Sequence, residues 1–126
     1  MDTIVAISTA AGKGGIGIVR MSGKECFKII NKIFIPKSNA DIEGYKIKYG
    51  NIVDSEGNVI DEVLVSYFVN PKSYTREDMC EINSHGGYAV EKAILEECIK
   101  KLEATLADIE VTIKGAIESI QNDRNE

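Results

Sequence analysis

Gly12, Gly14 and Gly17 in the stretch TAAGKGGIGIVR have the spacing G-x-G-x-x-G. That spacing is the phosphate cradle of dinucleotide-binding folds, where a strand leads into the loop and a helix opens out of it. The first condition holds, because DTIVAIS reads as a strand. The second fails: after Gly17 the chain is IVRMS, and β-branched Ile18 and Val19 favour extended backbone. The glycine stretch is therefore expected to join two strands. Its glycines then either supply positive φ in a hairpin loop or let a ligand or a partner chain approach the backbone. Lys13 is followed by Gly14, so the Walker pattern, which needs Ser or Thr there, is not met.

Other reactive side chains are few. The one histidine, His85, precedes Gly86 and Gly87. It either orients a ligand or partner loop, or holds a strand-to-helix turn, and a lone histidine without a visible acid–base partner favours the turn. Cys26, Cys80 and Cys98 fit no zinc spacing, so no metal site is expected. An odd number of cysteines argues against a disulfide framework and for a reducing, cytoplasmic setting. Cys80 in a strand pattern and Cys98 in a helix pattern read as core residues. Ser73 and Thr75 either touch a ligand or cap a short turn.

The elements that position these residues follow from patterning. The 126 residues, 44% of them hydrophobic, suit one domain, 1–126. A net charge of −5 argues against a stand-alone DNA or RNA binder. No apolar run approaches the roughly 20 residues of a membrane span, and no secretory signal is visible. Strands are expected at TIVAIST and at Ile16 to Met21. Ser22 and Glu25 have capping-box spacing before a helix, GKECFKIINKIF, with Phe27, Ile30 and Phe34 on one stripe. YKIKYGNIVD and VIDEVLVSYFV flank the turn SEGN as a hairpin, and MCEINSH is a further strand. YAVEKAILEECIKKL is a helix with an expected ridge of Ala93, Leu95, Ile99 and Leu102. In the tail, Leu106, Ile109, Ile113, Ile117 and Ile120 fit a helical stripe, while Ile109, Val111 and Ile113 also fit a strand; the reading adopted is a short strand near Ala104 to Ala107, then a helix. The class is α/β in the α+β sense: a mixed sheet of about five to six strands with two to three helices.

Two long segments carry a resemblance. DTIVAISTAAGKGGIGIVRMSG and DEVLVSYFVNPKSYTREDMCEINSHGG resemble the opening and the second signature of the N-terminal domain of the MnmE/TrmE tRNA-modification GTPases, with Ser-Tyr-Thr, Glu-Asp, a later Glu and His-Gly-Gly in register. The likeness covers about Asp2 to Leu102. It implies a domain similar to the tetrahydrofolate-binding domains of the glycine-cleavage T-protein type, forming a homodimer and holding a 5-formyl- or methylene-tetrahydrofolate. It implies ligand roles for Arg20, in GIVR, and Glu81, in DMCE. A carboxylate accepts the amine and ring N–H groups of a pterin, and a guanidinium grips carboxylate or carbonyl oxygens. Without the resemblance, Arg20 reads more readily as half of a surface ion pair and Glu81 as a solvent-facing strand residue. For the whole family it further implies GTP hydrolysis, a flavoprotein partner, MnmG, and the wobble uridine of tRNA as target.

The departures are specific. Ala10 and Ala11 replace a usual Pro-Pro, Lys13 a usual Arg, Arg76 a usual Gly and Ser84 a common Cys. After Leu102 the family's Pro-Gly-Glu-Phe core is missing and Gln121 falls where a folate-contacting lysine is expected, so 103–126 reads as a diverged or truncated tail, or as a later helical segment joined here by deletion. No GTPase domain is expected within these residues, which makes a complete enzyme of this chain alone unexpected. The alternative function is a structural dimerisation module that has lost folate binding.

Overall fold

The computed structural model describes residues 2–8, 16–37 and 45–124. Gly12, Lys13 and Gly14 lie outside the described residues. The elements are β1 (Ile4–Ile7), β2 (Gly17–Ser22), α1 (Cys26–Ile33), β3 (Phe34–Pro36), β4 (Tyr45–Val53), β5 (Val59–Phe68), β6 (Met79–Ser84) and α2 (Tyr88–Arg124). The strands form one six-stranded sheet in the order β1-β2-β6-β5-β4-β3. This is the expected α+β class. Every described pairing is antiparallel, so the sheet has no parallel pair among the described residues, where a mixed one was expected.

The period-two pattern decides which face is covered. On β5, Val63, Val65 and Tyr67 are buried while Glu62 and Leu64 are exposed. Val19 and Met21 of β2 and Cys80 and Ile82 of β6 join them. Both helices close over this face. Ile29, Ile30 and Ile33 of α1 and Ile94 and Cys98 of α2 complete one core. The opposite face carries no helix: Ile35, Ile47, Tyr49 and Leu64 are each 40–57% exposed on it. The hairpin of β4 and β5 forms as patterned, its turn held by Asp54, whose carboxylate accepts the N–H groups of Glu56 and Asn58, and by Gly57 at φ +85°.

Four sequence expectations change. The capping box does not form: Glu25 precedes α1 without a side-chain cap, and its own N–H donates to Thr3 Oγ1 at 3.1 Å. Ser22 ends β2 and uses its hydroxyl elsewhere. Phe34 leaves the helix to begin β3, an edge strand, where Pro36 is tolerated because an edge position needs no ladder donor. The ridge of α2 is shifted in part: Ile94, Cys98 and Thr105 are fully buried and Leu95 and Leu102 pack against the core as expected, whereas Ile99 is 37% exposed. Finally, residues 104–107 form no strand. Helix α2 runs unbroken through them, since Leu102 to Ala107 are mostly strong helix formers already propagating a helix.

Gly23 ties β1 to the start of α1. It sits at φ +133°, and a Cβ there would lie 2.5 Å from Thr3 Cα. The positive φ and the backbone neighbour act together. Gly23→Ala is expected to cost about 2 kcal/mol or more, read as a lower urea midpoint at unchanged slope.

The three thiols are buried and free. Burial pushes the Cys98 thiol up to about 12. Cys80 is pushed well above its ordinary value by the neighbouring Cys26 thiol and by burial. The folded state therefore holds both thiols protonated while the unfolded chain ionises at its ordinary, lower pKa. Their contribution to stability is complete below about pH 8.5 and is lost as pH rises from there toward 12. Denaturation midpoints measured from pH 7 to 11 are expected to fall, with a smaller fall in Cys98→Ala.

Candidate functional site

Arg20 and Glu81 face each other across the β2–β6 ladder as directly opposed residues. Their spacing in the chain is 61 residues, and the pairing register alone brings them together. Nε and Nη2 of Arg20 both donate to Glu81 Oε1, at 3.0 and 2.7 Å. Oε2 takes no hydrogen bond among the described residues. The pair lies on the helix-free face, between Ala6 of β1 and Ser66 of β5. The side chains keep 35% and 18% of their surface, which leaves the pair reachable from solvent.

A cleft of about 220 Å³ opens beside Arg20. Its walls are Ile4 and Ala6 of β1, Ser8, Arg20 and Ser22 of β2, and Tyr74 and Thr75 from the β5–β6 connection. Glu81 does not line the cleft; it is joined to it only by its hydrogen bonds from Arg20. The Tyr74 ring, 86% exposed, lies with its centre 5.9 Å from the Arg20 guanidinium carbon, the distance of a cation–π contact.

The connection that carries Tyr74 is pinned at both ends. The Ser22 hydroxyl donates to Glu77 Oε2 at 3.0 Å and meets the Thr75 hydroxyl at 2.7 Å. Ser73 Oγ donates to the Glu77 carbonyl at 2.5 Å. The Asp78 carboxylate accepts the Asn70 N–H at 2.9 Å, and the Asp78 carbonyl accepts the Gly23 N–H at 2.9 Å. Arg76 adopts φ +58° here. Left-handed geometry is costless for Gly and strained for Arg.

Of the residues singled out in the sequence, Arg20 pairs with Glu81 and lines the cleft together with Thr75. Ser73 closes the turn and does not line the cleft. His85 is exposed, and its backbone N–H donates to Asp61 Oδ2 at 3.0 Å; the strand-to-helix turn is made by Gly87 at φ +81°. Gly17 begins β2, so no helix opens at the end of the glycine stretch and the nucleotide-loop reading loses its required context. The sequence reading missed Tyr74 and gave Ser22 a different role. Nothing in the stretch SYTRED around Tyr74 shows that this loop folds back over β2 to meet Ser22. Among the described residues no cluster of His, Cys, Asp or Glu is arranged to hold a metal ion, and no helix is long and apolar enough to cross a membrane.

An antiparallel sheet backed by two helices, with an ion pair and a cleft on its bare face, defines an α+β module distinct from the doubly wound nucleotide-binding folds. Residues 3–112 match the family model described as "GTP-binding protein TrmE N-terminus". The chain belongs to that family. It is 52% identical over 103 residues to the tRNA modification GTPase MnmE of Clostridioides difficile, covering 79% of this chain and 22% of that protein. The MnmE of Geobacter sulfurreducens is 50% identical over 96 residues, covering 75% of this chain and 21% of its own length. The MnmE of Streptococcus mutans is 50% identical over 107 residues, covering 85% and 23%. The chain thus spans about a fifth of the length of these relatives.

Two stability outcomes follow from the geometry. Arg20→Ala is expected to cost only about 0.5–1 kcal/mol, because the pair is partly solvated. Arg76→Gly is expected to gain about 0.5–1 kcal/mol from relieved left-handed strain. Urea unfolding of both variants checks them.

Proposed function

We propose that this chain is a folate-binding, dimer-forming module of an MnmE-type tRNA-modification system. The observation that carries the reading is the Arg20–Glu81 pair, presented on a solvent-reachable sheet face at the edge of a cleft. A pterin edge offers adjacent amine and ring N–H donors. Glu81 Oε2 accepts such donors, while the Arg20 guanidinium grips a carbonyl or carboxylate of the same ligand. Tyr74 supplies a flat ring against which a bicycle stacks. At about 220 Å³ the cleft is smaller than the pockets that enclose whole drug-sized ligands. It suits the pterin head alone, with the remaining ligand extending along the open face.

The residues present fit a tetrahydrofolate derivative in charge and shape. A bound reduced folate would supply a one-carbon unit, and the role of this chain is to bind and orient it. With Gln121 at the position of the family's folate lysine, affinity rests on Arg20, Glu81 and the aromatic wall. The homodimer, the flavoprotein partner, tRNA as the object of modification and a cytoplasmic setting all come to this chain from the family. GTP hydrolysis is proposed only for a whole protein of that kind. The second reading, a dimerisation module without folate, draws on the same Gln121.

Calorimetric titration with 5-formyl-tetrahydrofolate tests the proposal. Saturable binding is expected in the parent chain, weakened at least about tenfold, the loss of roughly 1.4 kcal/mol, in both Arg20→Ala and Glu81→Gln. Absence of binding by folded parent protein would favour the second reading.

A further inference from the structure

Three polar side chains run in line from the cleft into the β5–β6 connection. Thr75 and Ser22 both line the cleft, and their hydroxyl oxygens are 2.7 Å apart. Ser22 is only 2% exposed, so its hydroxyl finds its partners inside the protein. It donates to Glu77 Oε2 at 3.0 Å. Glu77 does not line the cleft. It borders a separate polar pocket of about 180 Å³ together with Lys24, Asn70 and Asp78. The line Thr75–Ser22–Glu77 therefore joins the cleft wall to the far side of the connection.

The protons available along this line fix its direction. A carboxylate accepts hydrogen bonds and donates none, and a hydroxyl has a single proton to give. The Ser22 proton goes to Glu77, because a carboxylate facing a hydroxyl lone pair is repelled. The short contact between Ser22 and Thr75 then uses the Thr75 proton. Thr75 has no second one, so toward the cleft its Oγ1 offers lone pairs alone. A threonine without such partners is free to donate or accept. Here the carboxylate two residues further along the chain removes that choice.

We propose that Thr75, its proton committed through Ser22 to Glu77, is a specificity residue that accepts a hydrogen bond from a ring N–H of the bound pterin and so selects the reduced ring over the oxidised one. The inference rests on the folate reading above and adds to it a basis for discrimination. In folic acid the ring nitrogens N5 and N8 carry no hydrogen and only accept. In 7,8-dihydrofolate N8 carries a hydrogen, and 5-formyl-tetrahydrofolate keeps it. A reduced ring therefore brings the proton that Thr75 lacks. An oxidised ring sets a nitrogen lone pair against the Thr75 lone pairs with no proton between them. A polar group left unpaired in this way costs more than a made bond gains, which is how a polar site rejects a close analogue.

Calorimetric titration of the chain with 5-formyl-tetrahydrofolate, 7,8-dihydrofolate and folic acid tests it. Dihydrofolate has a nearly flat ring, as folic acid has, so the comparison of these two separates the N8 hydrogen from ring pucker. The parent chain is expected to bind both reduced ligands at least about tenfold more tightly than folic acid. Thr75→Val is expected to bring the two affinities within about threefold of each other, and Thr75→Ser, which keeps the hydroxyl, to retain the preference. Glu77 acts as a positioning residue. The amide of Glu77→Gln can donate to Ser22, which lets both hydroxyls reverse and Thr75 donate. Folic acid is then expected to bind more tightly than it binds the parent, whereas mere damage to the loop would weaken all three ligands together. Equal affinity of the parent for dihydrofolate and folic acid overturns the inference alone, as does an unchanged preference in Thr75→Val. Absence of binding of all three by folded parent protein overturns the folate reading and this inference together.

Discussion

The pairing of β2 with β6 is the constraint on which the rest depends. These strands are far apart in sequence, and their ladder joins the β1–β2 hairpin to the β4–β5 hairpin through β6. The register is fixed from the covered face. Val19 and Met21 must meet Ile82 and Cys80 beneath the helices, where all four are at most 1% exposed. A slip of one residue would turn Arg20 and Glu81 into the apolar core and expose the isoleucines and valines. The burial of an uncharged face therefore places a charged pair on the open one, without any large energetic contribution from the pair itself.

Around this ladder the molecule divides its labour. The helix-covered face is closed, apolar and lined with inert thiols. The bare face holds the cleft and, at its edge, the partly exposed Arg20–Glu81 pair. The β5–β6 connection is the join between the two. Ser22 and Gly23, at the end of β2, hold Thr75, Glu77 and Asp78, so the loop that carries Tyr74 is fixed to the same strand that carries Arg20. Arg76 sits within that network in left-handed geometry, its N–H donating to the Ser73 carbonyl at 3.3 Å.

Much of this was legible in the sequence. Alternation identified β4, β5 and β6, and Gly57 identified their turn. β-branched residues after Gly17 correctly spoke for a strand against a phosphate-binding helix. The α+β class and the family followed from patterning and from long motifs. What failed were local rules overruled by tertiary partners. Thr3, more than twenty residues upstream, took the capping contact that Ser22 and Glu25 have the spacing to make. Phe34 fits the helical stripe yet pairs with β4. The tail satisfies two periods at once, and only the continuing helix from Tyr88 decides between them. The Arg20–Glu81 contact is not a sequence property at all, since it exists only through the register of two distant strands; their ligand roles rest on resemblance and chemistry. Tyr74 escaped because nothing in its neighbours shows that a loop folds back over β2.

The most direct test of the central claim is to follow backbone amide resonances of the chain during titration with 5-formyl-tetrahydrofolate. The account predicts saturable shifts clustered on β1, on Arg20 to Ser22 and on Ser73 to Thr75, with the helix-covered core unmoved. Shifts centred elsewhere, or none in a folded sample, would contradict the assignment of this face as the folate site.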